Sequence, residues 1–84
     1  MNITKLTLEG KTLELKLSNG EFIEFKTQQR FKNTDKKFYE IVDIGIKGSN
    51  VMIEMILLKR GCAVKREFWE PQVLVDYLEK RNML

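Results

Sequence analysis

The chain has 84 residues, 43% of them apolar and 32% charged, a balance typical of a folded domain and unlike a disordered one. With no histidine and a single cysteine, Cys62, it can form no internal disulfide and lacks the usual zinc ligands. Fifteen Lys and Arg against 12 Asp and Glu give a net charge of +3, too weak an excess to name a partner by itself.

One domain spanning residues 1–84 is expected, and a chain this short buries only roughly 60 to 65% of its unfolded surface. Its stability should be a few kcal/mol, so a homodimer is the expected state. Lys5, Glu9 and Lys11 interrupt the region where a signal peptide would be apolar, and the uncharged run Met55 to Leu58 is far too short to span a membrane. A cytoplasmic protein without membrane contact is expected.

In chain order, Leu6 and Leu8 alternate with polar residues over 3–9, and Leu13, Leu15 and Leu17 do so with opposite parity over 12–17. A turn at Gly10-Lys11 would reset the register, setting Leu8 opposite Leu13 and Leu6 opposite Leu15, with a bulge as the alternative. Ser18-Asn19-Gly20 predicts a three-residue loop, because that register sets Leu15 opposite Ile23 and Leu13 opposite Phe25 in a strand over 21–29. Phe22 then faces solvent. Lys26 to Lys37, with its Asn33-Thr34-Asp35 cluster, reads as the strand's end followed by a mobile basic loop.

Strands over 38–47 and 50–59, joined by Gly48-Ser49, pair Ile46 with Val51, Ile44 with Ile53 and Val42 with Met55 as the main core. Ile41, Met52, Ile56 and Leu58 form a second apolar surface that needs its own cover. Asp43 falls opposite Glu54, and an ion pair with Arg66 is preferred to a cation site for relieving the repulsion. A loop at Lys59-Arg60-Gly61 precedes a strand over 62–67, with Ile56 opposite Val64 and Glu54 opposite Arg66 preferred to the register shifted by one. Pro71 opens a helix over 71–81 whose Leu74, Val75 and Leu78 form one face. Val73 and Tyr77 widen that face beyond what one sheet covers, which points to a second subunit. The fold class is α+β, mainly β: a small antiparallel sheet or partly open barrel of about five strands with one C-terminal helix.

Catalysis is disfavoured. Histidine is absent, the two serines lie in turns, and Cys62 reads as a small apolar strand residue although Lys59 and Arg60 stand beside it. Charge distribution says more. Residues 26–37 hold Lys26, Arg30, Lys32, Lys36 and Lys37 against Asp35, net +4; residues 59–66 hold Lys59, Arg60, Lys65 and Arg66, also net +4; the rest is net −5. Both segments lie at the same end of the middle hairpin, so their cations could form one phosphate-binding patch. Phe31, Phe68 or Trp69 could stack on exposed bases, the last two having an alternative role in packing the helix. The expected function is therefore non-enzymatic binding, with single- or double-stranded nucleic acid as partner and no metal or cofactor. The alternative is a homo-oligomeric interaction, inhibitor or regulatory module meeting a protein or anionic ligand, its self-contact made by Met52, Ile56, Leu58, Val73 and Tyr77.

Overall fold

Alternating leucines build the first sheet. In a computed structural model describing residues 1–84, β1 (Ile3–Glu9), β2 (Thr12–Leu17) and β3 (Phe22–Lys26) pair antiparallel in that order. The expected registers hold: Leu8 faces Leu13, Leu6 faces Leu15, Leu15 faces Ile23 and Leu13 faces Phe25. Gly20, at φ +88°, takes the left-handed conformation that the three-residue loop requires, and Phe22 is exposed.

A second antiparallel sheet follows, with β4 (Arg30–Thr34), β5 (Lys37–Lys47), β6 (Asn50–Lys59) and β7 (Cys62–Trp69) in sequential order. The fold class stands, with seven strands in two open sheets where about five were expected. The expected mobile loop is instead a short turn plus β4. Phe31 on β4 packs edge-on against Phe25 of β3, ring centroids 6.0 Å apart, and ties the two sheets together.

β5 departs from simple alternation at Val42. Ile44 faces Ile53 and Asp43 faces Glu54 as expected, but Ile41 rather than Val42 faces Met55, so Val42 is the extra residue of a bulge. Ile41 is fully buried and Val42 is 40% exposed. The expected places of these two residues are thereby exchanged. Upstream of the bulge the phase is reversed, which turns Tyr39 inward and Phe38 and Glu40 outward. The cause lies in the β3–β4 turn, where the Gln28 N–H donates to the Ile41 carbonyl (2.7 Å) and the Ile41 N–H donates to the Gln29 carbonyl (2.9 Å).

β7 also differs. Arg60-Gly61 makes a two-residue turn with Lys59 opposite Cys62, and a shift at Val64 then sets Ile56 opposite Arg66. The register shifted by one holds at the turn, with Leu58 opposite Ala63, and is lost at Val64, whereas the preferred three-residue loop does not form; Arg66 still reaches Glu54 diagonally at 3.2 Å. The strand runs on to Trp69 because that side chain has partners to pack against.

α1 (Pro71–Lys80) starts on Pro71, where a missing N–H costs nothing. It ends in a Schellman motif: the Met83 N–H donates to the Leu78 carbonyl (2.9 Å) and the Asn82 N–H to the Glu79 carbonyl (3.1 Å), with Asn82 at φ +54°. Leu74, Val75 and Leu78 are buried in one cluster with Leu13, Leu15, Leu17, Phe25, Phe31, Ile41, Ile44, Ile53 and Met55. Tyr77's part of the wide apolar arc is explained within the monomer, whereas Val73 stays 49% exposed. Tyr77 meets Trp69 at 5.3 Å and Tyr39 at 5.6 Å between ring centroids, and its hydroxyl donates to the Lys32 carbonyl (3.1 Å). Arg81 donates to the Asn33 carbonyl (2.7 Å) and holds β4 against the helix end. This helix, 10 residues long, is the only one, and it is not long and apolar enough to cross a membrane.

The bulge sets a sharp contrast between neighbours. Ile41→Ala should lower the free energy of unfolding in urea by about 2–5 kcal/mol, whereas Val42→Ala should cost less than about 1 kcal/mol. Equal losses, or the reverse order, would place Val42 in the core instead.

Candidate functional site

Two turns meet at the end of the second sheet where β5 begins and β6 ends. Lys37 stands directly opposite Lys59, and the Arg60 N–H donates to the Lys36 carbonyl at 3.2 Å. Lys36, Lys37, Lys59 and Arg60 therefore occupy one basic tip. Like charges directly opposite are destabilising in a sheet. Arg60 also sits at φ +51°, beside Gly61 at φ +82°. Such a turn ordinarily takes Asn-Gly, and the left-handed conformation costs a larger side chain about 1–2 kcal/mol.

The remaining five cations of the two basic segments have carboxylate partners. Lys26 pairs with Glu24 (3.0 Å), Arg30 with Glu40 (2.7 Å), Lys32 with Asp35 (3.7 Å), Lys65 with Glu67 (3.6 Å) and Arg66 with Glu54 (3.2 Å). The tip residues have none. Of the nine expected phosphate-binding cations, four thus converge without an ion-pair partner, with Asp35 of the same turn engaged by Lys32. Lys26 lies away from the tip at the end of β3. Lys65 shares the inner side of β7 with Glu67, while Arg30, Lys32 and Arg66 lie on the outer face.

The expected stacking residues are elsewhere. Phe31 is only 7% exposed, because the Phe25 ring and the core enclose it, so it offers no ring to a ligand. Trp69 is half-buried against Tyr39 at 4.7 Å and Tyr77 at 5.3 Å, the helix-packing role. Phe68 is exposed on the outer face but at the far end, with the Lys47 ammonium 4.3 Å above its ring. The ring nearest the tip is Phe38, which is 37% exposed and stands in a cross-strand row with Lys32, Leu58 and Ala63. Unbroken alternation through β5 hides it, by assigning Phe38 to the core. Glu40 and Asp43 are the signal that could have revealed it: three residues apart, they both reach the outside only if a bulge intervenes.

Met52, Ile56 and Leu58 lie half-buried on the same outer face, whereas Val73 and Tyr77 lie on the helix, which covers the inner face. The five expected self-contact residues do not form one surface, and Tyr77 belongs to the monomer's own aromatic cluster.

The opposed carboxylates Asp43 and Glu54 are each paired with a cation. Asp43 receives Lys11 at 2.7 Å, and that hydrogen bond holds its carboxyl below the usual carboxylate range. With Arg66 on Glu54, both opposed carboxylates are neutralised, and no group of three or more Cys, Asp and Glu side chains is placed to hold a metal ion. Tyr39 donates to Glu67 Oε2 at 2.9 Å; burial first, then this bond and the Glu67 charge, push its hydroxyl up to about 12. Cys62 is exposed opposite Lys59, not buried as a small apolar residue. The tip thus presents hydrogen-bond donors and positive charge, which suit an anion.

Compared with known proteins, the chain matches no family model, no curated protein and no solved structure.

Two outcomes are expected. Arg60→Gly should relieve the left-handed strain and raise stability by about 1 kcal/mol, or roughly 4–8 °C in melting temperature, read by calorimetry; a lower melting temperature would contradict this. Because the folded-state pKa of Tyr39 lies above its unfolded value of 10.0, its stabilisation is intact below pH 10 and lost as pH rises through about 12. Alkaline titration of phenolate absorbance should therefore show Tyr39 ionising late, and Glu67→Gln should shorten that delay without abolishing it, because burial is its larger cause.

Proposed function

We propose that the chain is a non-enzymatic binding protein whose basic tip holds the phosphate backbone of nucleic acid. One observation carries the reading: Lys36, Lys37, Lys59 and Arg60 gather at one end of the sheet with no ion-pair partner, Asp35 in the same turn being engaged by Lys32 at 3.7 Å, while the other cations of both segments are paired. Four unpaired cations can neutralise phosphates of a polyanion and displace its condensed counterions, whose release makes binding favourable and salt-dependent. Arg60 adds a planar fork that matches two phosphate oxygens. The strain and like-charge repulsion at the tip support the same reading, since local conflicts that cost stability collect at functional sites. A free, exposed Cys62 fits a reducing compartment such as the cytoplasm.

A second reading is supported by the uncovered outer face, where Met52, Ile56 and Leu58 lie beside exposed Phe38 and Phe68. A second copy, or another protein that the chain regulates by occupying its surface, could cover it. Self-pairing is the weaker alternative, because Arg30, Lys32 and Arg66 interleave with those residues and would approach their own copies.

In a mobility shift at low salt, random single- and double-stranded oligonucleotides should both be retarded. Replacing Lys36, Lys37, Lys59 and Arg60 together by Ala should weaken binding to all sequences and flatten the slope of log K against log salt by about 3. No retardation of the parent protein, or an unchanged slope, would overturn the phosphate reading. For the second reading, sedimentation should give twice the 9.9 kDa monomer mass, reduced to the monomer by Ile56→Glu; a parent protein that stays monomeric at high concentration would refute self-association.

A further inference from the structure

The outer face next to the tip has a graded chemistry. The row nearest it runs Lys32, Phe38, Leu58 and Ala63 across the four strands, and the next runs Arg30, Glu40, Ile56 and Arg66. Lys36 and Lys37 precede Phe38 directly, and Arg60 is joined to Lys36 through the backbone. An exposed aromatic ring thus has Lys32 and apolar Leu58 beside it and the turn residues Lys36 and Arg60 beyond it, while Lys37 and Lys59 alternate to the inner side; the carboxylates near it are engaged, Glu40 by Arg30 at 2.7 Å and Asp35 by Lys32 at 3.7 Å.

We infer that this face takes single-stranded nucleic acid, one base stacking on the Phe38 ring while the neighbouring phosphates lie on Lys36 and Arg60 at the sheet end, over which the strand continues to Lys37 and Lys59. The inference rests on the phosphate reading and specifies its ligand. Phosphates alone would not distinguish a duplex from a single strand; the ring does. Bases of a duplex are stacked on one another and show only their edges, whereas an unpaired base can turn its face onto an aromatic side chain. The occupant complements the site in both charge and shape: anionic groups meet the unpaired cations, and a flat apolar base meets Phe38 and Leu58. Stacking on a lone ring tolerates any base, so binding depends little on sequence.

Fluorescence anisotropy with a labelled oligothymidylate, and with a duplex of equal length, tests this on the whole chain. The parent protein should bind the single strand more tightly than the duplex. Phe38→Leu, which keeps an apolar side chain at a position that is already partly exposed, should weaken single-strand binding by about 5- to 100-fold and leave duplex binding unchanged. Phe22→Leu, at an exposed ring on the other sheet, should change neither, and circular dichroism of both variants should match the parent. If Phe38→Leu binds the single strand like the parent while the fourfold Ala variant loses binding, the single-strand inference falls and the phosphate reading stands. A parent protein that binds both ligands equally also overturns the inference, and one that binds neither overturns both readings. Self-association that excludes the oligonucleotide from this face, seen as binding that weakens with rising protein concentration, likewise overturns it.

Discussion

The pinned bulge at Val42 determines which side of the second sheet is the core. Gln28 and Gln29 occupy the Ile41 N–H and carbonyl, at the place where β5 passes beyond its pairing with β4. One additional residue there reverses the phase of everything upstream. Without it, Phe38 and Glu40 would point into the core, burying a carboxylate whose partner Arg30 lies on the surface, and Tyr39 would leave the aromatic cluster with Trp69 and Tyr77. The turn that joins the two sheets and the bulge that orients the second are parts of one arrangement.

That arrangement also explains the distribution of charge and exposed apolar surface. Reversing the phase of β5 sends Phe38 to the outer face, beside Arg30 and Lys32 of β4, and the convergence of two turns gathers four more cations at the sheet end, Lys37 and Lys59 on its inner side. The inner face is closed by the helix, whose last turn binds β4 through Tyr77 and Arg81. Rigidity is therefore supplied from one side of the sheet while the other side stays open. The local structure at the tip, with Lys37 opposed to Lys59 and Arg60 left-handed, opposes stability and is sustained by the rest of the sheet.

Much of the fold was legible in the sequence because short hairpins have registers that side-chain alternation can choose between. The leucines of β1 and β2, and the pairing of Leu13 with Phe25, left only one arrangement that kept apolar residues together. The same logic failed where alternation itself broke. Val42 and Val64 are each an extra residue in one strand, and either side chain would suit a buried or an exposed place. β4 was missed because Arg30-Phe31-Lys32-Asn33-Thr34 has one apolar residue, and what holds it comes from the remote residues Tyr77 and Arg81. The convergence of the basic segments followed from strand lengths, but the pairing that left four cations free depended on side-chain reach. Phe38 was concealed by the same bulge that exposed it.

The most direct test of the account is to map the binding surface by amide chemical shifts in solution. On titration with a short oligothymidylate, the largest changes should fall on Lys36 to Phe38 and Lys59 to Ala63, extending to Lys32 on β4, with Gly48 and Ser49 at the opposite hairpin end unaffected. Saturable changes centred on Gly48-Ser49 or on the helix, with Lys36 to Phe38 unmoved, would contradict it.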